Sequence, residues 1–406
     1  MMAWLRLVLG RRPAWMNVLL LFCAYMAIVY VPWDFLAKPV AVDQEVWLGL
    51  RLYGWKAKAT EPLHGLIYAL GTYGFWRMRR WMWPWAAVYA GQVTIGMTIW
   101  PLVYSREVGG IGRGLVFSAG SLAFFGALTV LLWRARARFQ RAPASLRDRY
   151  GSWALVTGAS SGIGAAFARA LARAGVSVVL SARREDRLRA LAEELGGGAG
   201  VATRVVAVDL AAPDGADRLL AAVADLEIGI LVNNAGFGFS GRFDRQDPAR
   251  LRAMVQVNCT APLVLTAGLL PGMRTRRRGA VLFTGSQAAR QPLPLHAVYA
   301  ATKVFDGFLG EALWGELAGS GVDVLVVEPG STETEFQAVA GEVPHEGQSP
   351  DEVVAIALEH LGQQPSVATR WMHWLRGNAG MRLAPRSLLV LAARDVMAKQ
   401  TPPELR

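Results

Sequence analysis

Two residues four positions apart, Tyr299 and Lys303 in "YAATK", have the types and spacing for proton chemistry. On a helix, positions i and i+4 share one face, which sets an ammonium beside a phenol. A phenol titrates at about 10, too high for efficient donation at neutral pH, and a neighbouring cation stabilises phenolate and draws it toward the working range. A second stretch, "TGASSGIG" (157–164), spaces its glycines as G-x-x-x-G-x-G. Gly158 allows a tight turn, Gly162 lets backbone approach a pyrophosphate, and Gly164 lets a helix pack close to a strand. A helix opening there offers free N–H groups and the positive end of its dipole to phosphate.

The surrounding chain has to place these groups. From Gly151 onward, short β-branched runs alternate with stretches rich in Ala, Leu and Arg. The runs at 153–157, 176–181, 203–208, 228–232, 280–284 and 322–327 are predicted strands, and the glycine turn ends the first of them. Near-continuous apolar strands separated by helices predict an α/β fold, a doubly wound parallel-sheet Rossmann domain covered on both faces.

At this point the chain resembles the short-chain dehydrogenase/reductase family over about residues 151–340. The resemblance rests on "TGASSGIG", Asp209 in "VDL", "NNAG" (233–236), Asn258, Ser286, "YAATK", and "PG" (329–330) followed by Thr334. It implies a catalytic set of Asn258, Ser286, Tyr299 and Lys303. Tyr299 would exchange the proton, Ser286 would orient a carbonyl, Lys303 would also hold the nicotinamide ribose, and Asn258 would hold a water linking Lys303 to solvent. Gly285 stands where the family often carries a second serine. Cofactor contacts are implied at Gly158, Ser160, Ser161, Gly162, Ile163 and Gly164. Further contacts fall on Asp209 at the adenine, on Asn234, Ala235 and Gly236, on Tyr299 and Lys303, and on Pro329, Gly330 and Thr334 over the carboxamide. A ribose-binding acid is expected about twenty residues beyond the turn. That neighbourhood reads "LSARREDRL", with Arg183 and Arg184 in place of an acid. Arg183 suits a 2′-phosphate and points to NADP(H), while Glu185 and Asp186 come late enough to start the next helix.

The variant "NNAGFGFSGRF" is similar to a branch that includes microsomal-type 3-ketoacyl and hydroxysteroid reductases, which implies a fatty acyl, isoprenoid or sterol-like substrate. The segment after Thr334 is expected to form a lid, and His296 to line the substrate loop. Cys23, Cys259, His345, His360 and His373 show no ligand spacing, so no metal is expected. Many members of the family pair through core helices, and a homodimer is an expectation on that ground.

The first 133 residues differ in kind. Eleven of the fifteen tryptophans lie there, and residues 13–33 carry no charge over 21 positions, close to the ~20 that span a bilayer. A signal peptide is the competing reading, but the run is long for one and no A-x-A-like cleavage site follows. Residues 81–104 and 115–133 are further uncharged runs, and 62–76 is a shorter one containing His64. With four crossings the clusters Arg6/Arg11/Arg12, Arg77/Arg79/Arg80 and Arg134–Arg149 all fall on one side, as the positive-inside rule requires. Asp34, Lys38, Asp43, Glu45, Glu61 and His64 lie in or beside the first loop. They could form a second polar site; the plainer reading is solvated loop charge with one interfacial histidine.

The resulting division is a membrane region at 1–133, a basic linker at 134–150, the catalytic domain at 151–340, and a lid with an amphipathic tail at 341–406. The tail (371–397) reads either as an interfacial helix or as one packed on the core. A formal charge of +12, carried mostly by arginine at the ends of apolar runs, points to membrane lipids as partners and not to nucleic acid. The preponderance of arginine points to a bacterial inner membrane. Three functions compete: a membrane-anchored NADP(H)-dependent oxidoreductase on a lipophilic ketone or alcohol, a membrane scaffold whose dehydrogenase unit only senses nucleotide, and a reductase fused to an independent lipid-modifying or transport unit. A sensor has no need of a proton donor, so Ser286, Tyr299 and Lys303 favour the first.

Overall fold

The computed structural model describes residues 13–136, 139, 145–370 and 385–406. They fall into two units, Met1–Pro143 and Ala144–Arg406. The cluster Arg6/Arg11/Arg12, part of the 134–149 basic run and residues 371–384 of the tail lie outside the described residues.

The first unit contains α1 (Ala14–Ala37), a hairpin of β1 (Gln44–Trp47) and β2 (Leu50–Tyr53), α2 (Glu61–Arg77), α3 (Met82–Val103) and α4 (Ile111–Arg134). Helices α1, α3 and α4 are long and apolar enough to cross a membrane. The 17 residues of α2 give a helix of about 25 Å, close to the hydrocarbon thickness. Apolar side chains point outward as well as inward: Ile28 is 72 % exposed, Val116 73 % and Phe124 69 %. Helices apolar all round fit lipid better than water. Polar groups join them on the inside, with Thr94 and Thr129 hydroxyls 3.0 Å apart between α3 and α4, and Ser118 donating to the Thr98 carbonyl at 2.7 Å. The hairpin, absent from the sequence reading, turns through Leu48 and Gly49, both at positive φ (51° and 87°).

The second unit is built on a seven-stranded parallel sheet: β3 (Trp153–Thr157), β4 (Ser177–Ala182), β5 (Thr203–Ala207), β6 (Ile228–Asn233), β7 (Gly279–Thr284), β8 (Val322–Glu328) and β9 (Ser366–Ala368), in the order β5-β4-β3-β6-β7-β8-β9. Six strands lie where the apolar runs place them, within a residue or so at each end. The connecting helices are α5 (Gly162–Arg173), α6 (Glu185–Ala199), α7 (Gly215–Ala222), α8 (Pro248–Thr275), α9 (Ala297–Glu316), α10 (Phe336–Ala340), α11 (Pro350–His360) and α12 (Arg386–Gln400).

Successive strand residues face opposite ways, so a continuous apolar run feeds two cores. Ala154, Val156, Val178, Leu180, Ile230 and Val232 pack under α5, α6 and α11. Leu155, Val179, Leu231, Val281, Phe283 and Val326 pack under α7, α8 and α9. Helix α8 is also long and apolar enough to span a membrane, yet its Val257, Ala261, Leu265 and Met273 belong to this second core. Strand order reverses between β3 and β6, and the crevice at their carboxyl ends is where such sheets bind ligands.

Both ends of this unit are tied in. Tyr150 is buried, and its hydroxyl donates to Asp323 Oδ2 at 2.9 Å, an oxygen that Arg149 also pairs with at 2.6 Å. At the other end, Ala393, Met397 and Thr401 are buried, so the described part of the tail packs on the core.

Candidate active site

The floor of the crevice is made of backbone packed against backbone. Gly158 has φ +67°, and a Cβ there would stand 2.9 Å from Ala235 Cα. A Cβ on Gly164 would lie 2.2 Å from the Gly158 carbonyl oxygen. Side-chain substitution at either position therefore requires the turn to move. "NNAG" then stitches three strands together. The Thr157 hydroxyl accepts from the Asn234 and Ala235 N–H groups at 3.0 Å each, the Thr157 carbonyl accepts from Asn234 Nδ2 at 2.9 Å, and Thr284 donates to Asn234 Oδ1 at 3.2 Å.

The cleft above holds about 520 Å³. Its walls include Ser160, Ser161, Gly162, Ile163, Arg183, Asp209, Asn234, Ala235 and Gly236 at one end. Ser286, Tyr299, Lys303, Pro329, Gly330 and Thr334 line it as well. Gly164 and Asn258 stand behind this wall, both buried. The residues that the resemblance assigns to catalysis and to the cofactor thus lie in the cleft or directly behind it.

Helix α9 presents Tyr299 and Lys303 together. Lys303 Nζ is buried and donates to the Thr284 carbonyl at 2.8 Å and to Asp306 Oδ2 at 3.0 Å. Burial alone would pull this ammonium down, but the Asp306 carboxylate and the nearby phenol outweigh it and hold Lys303 above its ordinary value. Burial likewise pushes Tyr299 up; the Lys303 charge and the Ser286 hydroxyl, within hydrogen-bonding reach of the phenol, pull the other way without prevailing. The lowering by Lys303 is visible in the sequence, whereas the desolvation of the phenol arises only from the fold. Asp306 went unnoticed, although an acid three residues after Lys303 on an apolar helix was a visible signal.

Asn258 sits in a π-helical turn, Gln256–Thr260, within α8. Its side-chain amide makes three hydrogen bonds: Nδ2 donates to the Phe237 carbonyl at 2.9 Å and to Thr302 Oγ1 at 3.0 Å, and Oδ1 accepts from the Phe237 N–H at 3.1 Å. Oδ1 keeps a second lone pair, so the relay water that the resemblance implies has an acceptor there without breaking any of these bonds. The side chain also joins α8, the "NNAG" loop and α9.

At the other end, Arg184 reaches the glycine turn and donates to Ser160 Oγ and Ser161 Oγ at 3.1 Å each. Glu335, just before α10, pairs with Arg184 at 2.8 Å and Arg187 at 2.5 Å, and these guanidiniums hold its carboxyl down at about 2. Arg187 and Glu335 were not foreseen. Beside the phenol, Phe336 lies against Tyr299 with ring centroids 5.2 Å apart, and the cleft is lined further by Leu293, Val339 and Met397 together with the polar Gln337, Glu342, His345 and Gln400. His296 lies behind Tyr299, with Nε2 2.9 Å from the Ser240 hydroxyl, which in turn is 2.8 Å from Thr401. Burial pushes its imidazole down to about 4, so it is neutral at pH 7.

Comparison with known proteins agrees with this geometry. Residues 152–343 match the short chain dehydrogenase family. The human very-long-chain 3-oxoacyl-CoA reductase is 34 % identical over 232 residues, covering 56 % of this chain and 74 % of that protein. A short-chain dehydrogenase from Sphingobium yanoikuyae, solved in complex with NADPH, is 34 % identical with a TM-score of 0.51, covering 58 % of this chain and 96 % of that one. A structure from work on 7beta-hydroxysteroid dehydrogenase stereoselectivity is 28 % identical with a TM-score of 0.58, covering 62 % of this chain and 99 % of that one. The chain belongs to the short-chain dehydrogenase family of oxidoreductases.

Proposed function

We propose that this protein is a membrane-anchored, NADP(H)-dependent oxidoreductase that interconverts a ketone and a secondary alcohol on a lipophilic acyl substrate. A long-chain 3-oxoacyl thioester is the first candidate. The observation that carries this reading is the convergence of Ser286, Tyr299 and Lys303 on one cleft that Leu293, Phe336, Val339 and Met397 also line. The name of the human relative, and the apolar helices of the first unit, point to the same substrate class. Four crossings, with the catalytic unit on the cytoplasmic face of a bacterial inner membrane, fit the arginine pattern. Pairing of two copies through core helices is part of the same proposal.

The cradle fits a dinucleotide. Gly158 and Gly164 leave no room for a Cβ, which brings backbone N–H groups to the cleft surface. An anionic group already rests on Arg184 and Arg187, the Glu335 carboxylate, which marks this end as a phosphate position. Arg183 and Arg184 would hold a 2′-phosphate there, Asp209 would border the adenine, and Pro329, Gly330 and Thr334 would close over the nicotinamide. The bound cofactor supplies or accepts a hydride at the carbonyl carbon. Tyr299 gives its proton to the carbonyl oxygen in the reducing direction, and Ser286 holds that oxygen against the phenol. Lys303 stabilises the phenolate that remains. Asn258 acts as a positioning residue through Phe237 and Thr302.

The test uses the full-length protein in micelles, with 3-oxoacyl-CoA esters of increasing chain length, NADPH and NADH. Turnover should rise with chain length and prefer NADPH, and Tyr299→Phe should lower kcat about 10³-fold while NADPH still binds. Tight NADPH binding without turnover on acyl, isoprenoid or sterol ketones would establish the sensor instead.

A further inference from the structure

We propose that the first unit holds a divalent-cation site, of a kind suited to zinc or a similar transition metal, formed by Glu45, Glu61 and His64. Helix α2 opens "EPLH", which places Glu61 and His64 at i and i+3 on one face. A Glu-x-x-His pair on a bundle helix is an effective way of offering a carboxylate and an imidazole to one metal. Glu45 joins them from β1, and the ligating atoms of all three lie within 4.8 Å of one another. His64 Nδ1 and Glu45 Oε2 are 3.5 Å apart. Two ligands on a tetrahedral zinc are separated by about 3.4 Å.

Glu61 gives the independent sign that a ligand belongs here. The residue is 1 % exposed, and its Oε1 has no hydrogen-bond partner among the described residues. A buried carboxylate oxygen in that condition is costly. Its neighbours cannot serve it, because the nearby lysines are engaged with the other acids. Lys38 lies 3.1 Å from Asp34 and 2.7 Å from Asp43, while Lys58 lies 3.7 Å from Asp43 and donates to the Lys38 carbonyl at 2.9 Å. Asp34 and Asp43 are themselves buried. Four carboxylates therefore meet two ammoniums, and Glu45 and Glu61 are left with the His64 imidazole, 3.5 Å from Glu45, as their cationic neighbour. A divalent cation bound there neutralises both.

The site is also shaped for entry and orientation. The side chains of His64 and Glu45 keep 15 % and 18 % exposure, leaving one side open. The imidazole lies flat on the Trp47 indole, with centroids 4.7 Å apart and planes within 2°. That stacking fixes the ring as outer contacts fix metal-bound histidines elsewhere. Occupied, the site clamps the start of α2 to the hairpin. Of the two readings open for these residues, a second polar site and solvated loop charge with one interfacial histidine, the burial of Asp34, Asp43 and Glu61 favours the first, and the expectation of no metal is what the proposal departs from.

The experiment takes full-length protein, purified in detergent without a metal-affinity step and stripped with a chelator. Titration with Co²⁺ should produce the strong visible absorption of a four-coordinate ion at one equivalent per chain, and Zn²⁺ should displace it. Glu61→Gln and His64→Ala should each weaken Zn²⁺ binding about 100-fold, with His360→Ala in the second unit binding as wild type. Failure of the wild-type protein to bind either ion more tightly than about 100 μM would overturn the proposal, and show that protons balance the acids. So would binding that survives both ligand substitutions. The wild-type titration decides the matter even if the variants do not fold.

Discussion

In the catalytic unit one buried ammonium, Lys303, meets one buried carboxylate, Asp306, at 3.0 Å, whereas in the membrane unit Lys38 and Lys58 stand among Asp34, Asp43, Glu45 and Glu61. A matched pair is electrically complete: it keeps Lys303 charged, and the remaining field acts on the Tyr299 phenol at the cleft wall. An unmatched set is complete only with something added. Buried charge thus does chemistry in one place and calls for a ligand in the other, and counting partners separates the two cases.

The most severe way to break the comparison is to remove the cation from the matched pair. Lys303→Met leaves a phenol desolvated by burial with no charge to stabilise its anion, and leaves Asp306, already raised by burial, to take up a proton. Reductase kcat/KM should fall about 10³-fold; the lone buried acid should also cost the second unit about 3 kcal/mol or more, so the rate is compared on protein shown by circular dichroism to be folded. An activity loss under tenfold would mean that Lys303 does not tune the phenol.

The corresponding change in the membrane unit should act on stability and not on chemistry. Lys58 is 5 % exposed, and Lys58→Met strips a cation from a set already short of positive charge. Breaking a buried pair from one side costs about 3 kcal/mol or more. The melting temperature of the first unit in micelles should drop, and added Zn²⁺ should recover part of it. A variant melting like wild type would show that Lys38 alone neutralises Asp34 and Asp43.

Much of the catalytic unit was legible because its information is local. Continuous β-branched runs can pack on both faces of a sheet, so 153–157 and 322–327 announced strands without reference to any distant residue. The glycine turn and the Tyr299–Lys303 spacing are local as well. What stayed hidden depends on chain separations that pattern does not encode. Asp34 lies in α1, Asp43 in the connection before β1 and Glu61 at the start of α2, and nothing in their spacing says that they converge or are buried. The three-residue β9 carries too little pattern to stand out, and the β1–β2 hairpin turns through Leu48–Gly49 instead of a more recognisable Asn-Gly pair. The link from Ser240 to Thr401 crosses 161 positions, which is why the tail offered two readings and the fold selected one for its described part.

His296 sharpens the comparison from a third side, as a titratable group buried without charge. Its Nε2 meets the Ser240 hydroxyl, Nδ1 faces Glu342 at 3.7 Å, His345 lies beyond Glu342, and the Tyr299 ring is 6.5 Å away. Burial lowers the folded-state value from 6.5 to about 4. Between those two values the unfolded chain binds a proton that the folded chain refuses, so stability is present above pH 6.5 and is lost as pH falls through the window. From pH 7.5 to pH 5 the loss comes to about 2 kcal/mol from this group. Glu342, raised by burial, takes up a proton more readily when folded and works in the opposite direction. The informative quantity is therefore the difference between wild type and His296→Asn, which keeps Glu342 in both. Hydrogen exchange of β6 and β7 in the full-length protein, corrected for intrinsic rates, should show wild type losing about 2 kcal/mol more than the variant over that range. Equal losses would mean that burial leaves the imidazole unshifted, and a smaller loss in wild type than in the variant would mean that the imidazole is charged in the fold with Glu342 as its counter-ion, a matched pair like Lys303 and Asp306.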